Sequence, residues 1–98
     1  MAEIIWTAEA ETWLQDIYSY IAQEDPEAAK RVVQGIYDRA QQLLTFPQSC
    51  QRYRIEPEGD IRILLYGHYR IAYQFRNDNR IIILGVFHGA LDLERYLP

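Results

Sequence analysis

The sequence predicts a single α+β domain, with element order β-α-α-β-β-β, in which a helical hairpin packs on one face of an antiparallel sheet. Three observations lead there. In the first half, apolar residues recur every three to four positions in two successive stretches, the period of a helix. In the second half, strand-like stretches alternate with short polar turns. Pro26 falls where a helix can begin and Pro47 where one must end. A chain of 98 residues forms one domain, 1–98, and buries enough surface to fold without a disulfide or metal staple.

The elements follow in order. Glu3-Ile4-Ile5-Trp6 reads as a short strand, and Thr7 as the N-cap of a helix whose first turn carries Glu9 and Glu11 at its positive end. That helix extends to about Gln23 with Ala10, Leu14, Ile17 and Ile21 as its core stripe, flanked by Trp13 and Tyr20 on one side and Tyr18 on the other. Asp25-Pro26 caps a second helix, which runs to about Phe46 with Ala29, Val32, Val33, Ile36, Ala40, Leu43 and Leu44 facing the core. Gly35 is expected on its solvent side. Arg52 to Ile55 forms a short strand, and Glu56 to Asp60 a turn-rich connection. Three strands then form a meander: Ile61 to Tyr66, Tyr69 to Arg76 and Arg80 to Phe87, separated by Gly67-His68 and Asn77-Asp78-Asn79. Ala90 to Leu97 forms a short helix or an extended tail.

Parity places side chains on the sheet. Tyr69, Ile71, Tyr73 and Phe75 share one face, leaving Arg70, Ala72, Gln74 and Arg76 on the other. With Ile61, Ile63 and Leu65 also toward the helices, Arg62 joins Arg70 and Arg76 on the far face, and Arg52 and Arg54, which share a parity, extend the group. The last strand is apolar at both parities, as an interior strand requires, and its Ile82, Leu84, Val86 series continues to His88.

Composition limits the functions available. The net charge of −4 argues against a protein whose main work is holding a long nucleic acid. Residues 1–48 carry a net −5 and residues 49–98 a net +1, with nine arginines and one lysine in the whole chain. Such cations suit planar, bidentate contact with carboxylates or phosphates, although surface ion pairs account for them equally well. One cysteine, Cys50, cannot form an internal disulfide, and no apolar run reaches membrane-spanning length, so a cytoplasmic protein is expected. Two histidines and one cysteine without ligand-like spacing argue against a metal site.

Trp6-Thr7-Ala8-Glu9-Ala10, Leu14-Gln15-Asp16-Ile17-Tyr18-Ser19-Tyr20-Ile21, Pro26-Glu27-Ala28-Ala29, Leu43 to Pro47, Tyr69-Arg70-Ile71-Ala72-Tyr73 and Val86-Phe87-His88-Gly89-Ala90 occur in that order. In their order and spacing the chain resembles the RelE/ParE family of type II toxin–antitoxin toxins. The resemblance implies a toxin held inactive by a cognate antitoxin, in some cases within a higher-order complex. It implies one of two activities: cleavage of mRNA on the ribosome, or poisoning of DNA gyrase. For cleavage, Arg70 matches the phosphate-facing arginine, His88 the position of an acid or base, and Tyr96 lies near a C-terminal tyrosine. Arg52, Arg54 and Arg62 are candidates for phosphate or target binding. Trp13, Tyr20, Leu91, Leu93 and Leu97 are candidates for antitoxin binding, against ordinary core packing.

Two departures favour the gyrase branch. RelE-like enzymes are lysine-rich around the strand of Arg52 and Arg54, whereas no lysine follows Lys30 here, and Leu91 stands where many relatives have arginine. The expectation is therefore a ParE-like toxin that acts on DNA gyrase without a cofactor. Ribosome-dependent cleavage by Arg70 and His88 is the alternative, and a lapsed toxin that retains only antitoxin binding is a third reading.

Overall fold

In the computed structural model, which describes residues 2–89 and 93–97, strand β1 (Glu3–Trp6) gives way at Thr7 to helix α1 (Ala8–Ala22). The Thr7 hydroxyl accepts from the Ala10 amide at 3.1 Å and donates to the Ile83 carbonyl at 2.8 Å. One side chain thus caps the helix and ties its start to the sheet. Helix α2 (Pro26–Gln41) is capped by Asp25, whose carboxylate accepts from the Ala28 amide at 3.1 Å. It stops short of Phe46, because a 3-10 turn over Gln42–Leu44 tightens the chain. The tightening buries Leu43 but turns Leu44 outward, 43% exposed, instead of into the core stripe.

Four strands follow: β2 (Gln51–Arg54), β3 (Gly59–Tyr66), β4 (Tyr69–Arg76) and β5 (Arg80–His88). The sheet order is β1-β5-β4-β3-β2. Neighbours are antiparallel except β1 and β5, so the sheet is mixed. The parallel pair arises because the helical hairpin lies between the first strand and the rest, and β1 docks beside the last strand of the meander. Ala10, Leu14, Ile36 and Leu43 pack on Leu64, Ile71, Tyr73, Ile81, Ile83 and Val86, with the helices on one face as expected. On the opposite face, Leu93 and Leu97, from a 3-10 turn at Leu93–Arg95 and the residues after it, close over Ile61, Ala72 and Phe87.

Register corrects three sequence expectations. Strand β4 has the expected parity, but β3 is inverted, since Arg62 lies opposite Tyr73 and Leu64 opposite Ile71. Arg62, Leu64 and Tyr66 therefore face the helices, and Ile61, Ile63 and Leu65 face away. Both parities of β3 are mostly apolar, so hydrophobicity alone did not set its facing, and the loop carbonyls of Gln48 and Cys50 accommodate the arginine. In β5, Ala72 pairs with Gly85 but Tyr73 with Ile83, which leaves Leu84 as a bulge. Ile81 and Ile83 face the helices before it, Val86 and His88 after it, so the single series from Ile82 to His88 is broken. Gly35 is the third case: the Tyr66 phenol lies against it, where any Cβ would collide. This glycine permits close packing of α2 on β3 rather than facing solvent.

Two tyrosines link distant elements. The Tyr37 hydroxyl donates to Glu11 Oε2 at 2.8 Å, and burial together with that carboxylate pushes its pKa up to about 12. Tyr73, fully buried, donates to the Pro47 carbonyl at 2.8 Å, and burial, then the nearby Cys50 thiol, raises its pKa further. Above about pH 10 the unfolded chain loses tyrosine protons that the native chain keeps. Stability is thus fully present below that pH and falls as pH rises through the range up to the native values. Urea midpoints of the wild type should drop between about pH 9 and about pH 11, and those of a Tyr37→Phe/Tyr73→Phe double variant should drop less. Equal drops would exclude these two groups as the cause.

Candidate functional site

The β4–β5 pair positions the two residues singled out for chemistry. Arg70 lies opposite Phe87 and Leu65, whereas His88 lies opposite Tyr69. Because successive strand residues alternate faces, Arg70 points away from the helices and His88 points toward them. The His88 ring meets the edge of Tyr69 at 5.9 Å and lies nearly parallel to His68, with 6.4 Å between centroids. Tyr96 is not beside His88. It packs on Trp13 at 5.2 Å and on Phe87 at 5.9 Å, on the face that Arg70 occupies. The structure thus places Arg70, His88 and Tyr96 at one end of the sheet without gathering all three around one point.

The arginines of β2 and β3 are dispersed as well. A register shift at Tyr53 places Arg52 opposite Arg62 but Arg54 opposite Ile61, so Arg52 and Arg54 do not share a face as their spacing predicts. Asp60 Oδ2 lies 2.9 Å from Arg52 Nε and 3.5 Å from Arg62 Nη2. Arg62, only 8% exposed, also donates from Nη1 to the carbonyls of Gln48 at 3.2 Å and Cys50 at 2.8 Å. It is committed to the loop before β2. Arg54 pairs with Glu56 at 2.6 Å, Arg76 with Glu58 at 3.2 Å, and Arg80 with Asp78 at 2.7 Å. These pairs add little stability where exposed, but they weaken the field that the arginine-rich half offers to a polyanion.

One opening does gather cations. Strand β3 outruns β2, which begins at Gln51 opposite Ile63, so Leu64 to Tyr66 leave an open edge. Arg39, from the last turn of α2, donates from Nε to the Leu65 carbonyl at 3.1 Å there. A cleft of about 540 Å³ results, lined by Arg39, Arg52 and Arg70 together with Cys50, Tyr53 and Leu65. Ser49, Cys50 and Tyr53 add hydroxyl and thiol groups to its lining, and Tyr53 donates to Glu94 at 2.7 Å. Sequence reasoning missed Arg39 and Cys50. Arg39 enters the sequence reading only through the net charge, and Cys50 only through disulfides and metals.

The partner-binding candidates separate. Tyr20 is 77% exposed, a large aromatic ring with little cover. Trp13 is half-buried and stacks edge-on against Phe87 at 4.8 Å. Leu93 and Leu97 are buried in the second core cluster, holding the C-terminal turn to the sheet. Leu91 lies outside the described residues.

Three known proteins compare with this chain over most of its length. The protein Y4kP of Sinorhizobium fredii, named as an inferred toxin, is 35% identical over 86 residues, covering 88% of this chain and 86% of its own length. The solved structure of the chromosomal ParDE TA system from P. aeruginosa matches with a TM-score of 0.73 at 25% identity, covering 90% of this chain and 96% of that one. The RelBE2 toxin–antitoxin complex of Mycobacterium tuberculosis shares the fold, with a TM-score of 0.56 at 21% identity over 89% of this chain and 96% of its own. Residues 4–93 match the family model of the ParE toxin of the type II toxin–antitoxin system parDE, and the chain belongs to that family of toxins.

Proposed function

We propose that this toxin is ParE-like in action: it inhibits DNA gyrase through protein contacts, uses no cofactor, works in the cytoplasm and is neutralised by a cognate antitoxin. The observation that carries this reading is the opposition of Arg70 and His88 across the sheet. Cleaving a phosphodiester requires an acid or base within hydrogen-bond reach of the attacking or leaving oxygen while donors hold the phosphate. Register turns the His88 imidazole toward the helix side and Arg70 toward the other, which does not favour their meeting on one phosphate. The ParE family match supports the same branch. For the antitoxin, Tyr20 offers an exposed aromatic anchor.

A second reading, ribosome-dependent mRNA cleavage, draws on the Arg39, Arg52 and Arg70 cleft, which could seat a phosphate. Controlled expression, followed by a supercoiling assay and by mapping of transcript ends, separates the two. Inhibited supercoiling that persists in His88→Ala, with intact transcripts, is the expected result. Codon-phased cuts that vanish in Arg70→Ala, with supercoiling untouched, would reverse the assignment. Absence of any growth defect would mark a lapsed toxin.

A further inference from the structure

The chain's two histidines are 20 positions apart in sequence, a spacing that suggests no metal site, yet the fold sets them side by side. His68 occupies the turn between β3 and β4, and His88 ends β5. The Gly89 amide donates to the His68 carbonyl at 2.8 Å, which locks the turn to the strand end and fixes the two Cα positions relative to each other. Both side chains are exposed, and their rings are 24° from parallel with centroids 6.4 Å apart.

We infer that His68 and His88 form a two-ligand site for a divalent first-row transition metal, Zn²⁺ being the representative ion. Metal–imidazole bonds of roughly 2.0–2.1 Å with tetrahedral angles place two ring centroids about 5 Å apart. The observed separation exceeds that by little more than an ångström, but the rings lie nearly parallel, so both must turn about their side-chain bonds, His88 leaving its edge contact with Tyr69, before their in-plane nitrogens converge on one ion. Imidazole suits Zn²⁺, Cu²⁺ and Ni²⁺ and not the oxygen-seeking Mg²⁺ or Ca²⁺. Among the described residues no group of three or more His, Cys, Asp or Glu side chains lies close enough together to hold an ion. The described residues therefore supply two ligands, with water for the rest, which makes the site a clasp between the β3–β4 turn and the end of β5 rather than a folding requirement. A bound ion favours the native state by mass action.

The test uses the full chain, purified without a histidine tag, titrated with ZnCl₂ by calorimetry and by thermal denaturation. One Zn²⁺ per chain should bind and raise the Tm. His68→Gln and His88→Gln should each weaken binding by at least about tenfold, since groups that merely hydrogen-bond a ligand are worth about 10- to 100-fold. Each should also abolish the Zn²⁺-dependent rise in Tm, whereas Cys50→Ser should leave both readouts unchanged. Binding that survives either histidine change, binding that depends on Cys50, or no saturable binding would each overturn the site. Because neither histidine enters the proposed gyrase contact, this result stands apart from that of the supercoiling assay.

Discussion

Arg62→Ala should cost about 3–5 kcal/mol of folding stability, the loss typical of removing one partner from a buried charged network. The Arg62 guanidinium is the common donor for the Gln48 and Cys50 carbonyls and approaches the Asp60 carboxylate at 3.5 Å. Alanine would leave two loop carbonyls without that donor and would leave Asp60 with Arg52 alone, 51% exposed. Lysine should not rescue, because its one ammonium would have to meet both carbonyls that Nη1 holds and also the Asp60 carboxylate that Nη2 approaches, which the planar guanidinium serves from two nitrogens. Methionine should recover part of the loss by filling the volume without a charge to desolvate. Urea midpoints for the three variants give the ranking. A stability within about 1 kcal/mol of wild type for Arg62→Ala would show that water replaces the arginine at little cost. The same loop carries Cys50 into the cleft beside Arg52 and Arg70, so the change should also loosen that opening.

Arg62 also shows where sequence reasoning fails. The helices, the capping residues Thr7 and Asp25 and the strand parity of β4 were legible because each has a strong local cause: a helical stripe, a cap hydrogen bond, a regular alternation. Strand β3 was not, because Ile61, Ile63, Leu64 and Leu65 supply apolar side chains to both faces, and the choice rests on carbonyls from residues 48 and 50 that are distant from its own pattern. The bulges at Tyr53 and Leu84 were equally silent. A bulge adds one residue and reverses every side chain beyond it, so a parity count is right only up to the first one. The bulge at Leu84 turns His88 toward the helices, and the one at Tyr53 separates Arg52 from Arg54. The family resemblance carried residue types to positions, but the direction in which each side chain points came from register alone.

Phe87→Ala should be comparably destabilising, by about 3–5 kcal/mol, and its effect should spread to the C-terminal turn. Phe87 is 1% exposed, with Trp13 at 4.8 Å and Tyr96 at 5.9 Å against its ring. The bulge at Leu84 and the missing side chain at Gly85 make this possible, since the ring folds over Gly85 where a Cβ would meet it. Leu93 and Leu97 share the same cluster. Without the ring, Tyr96 loses its stacking partner and the turn at Leu93–Arg95 loses the floor it packs on, so its amides should exchange faster than those of β4. Leucine should restore most of the volume but not the edge-to-face contact with Trp13, worth about 0.5–1.5 kcal/mol beyond area burial. Hydrogen exchange and urea unfolding of Phe87→Ala and Phe87→Leu test both statements. Uniform acceleration across the sheet, with the C-terminal turn no more affected than β4, would show that Phe87 supports the core as a whole rather than anchoring the turn.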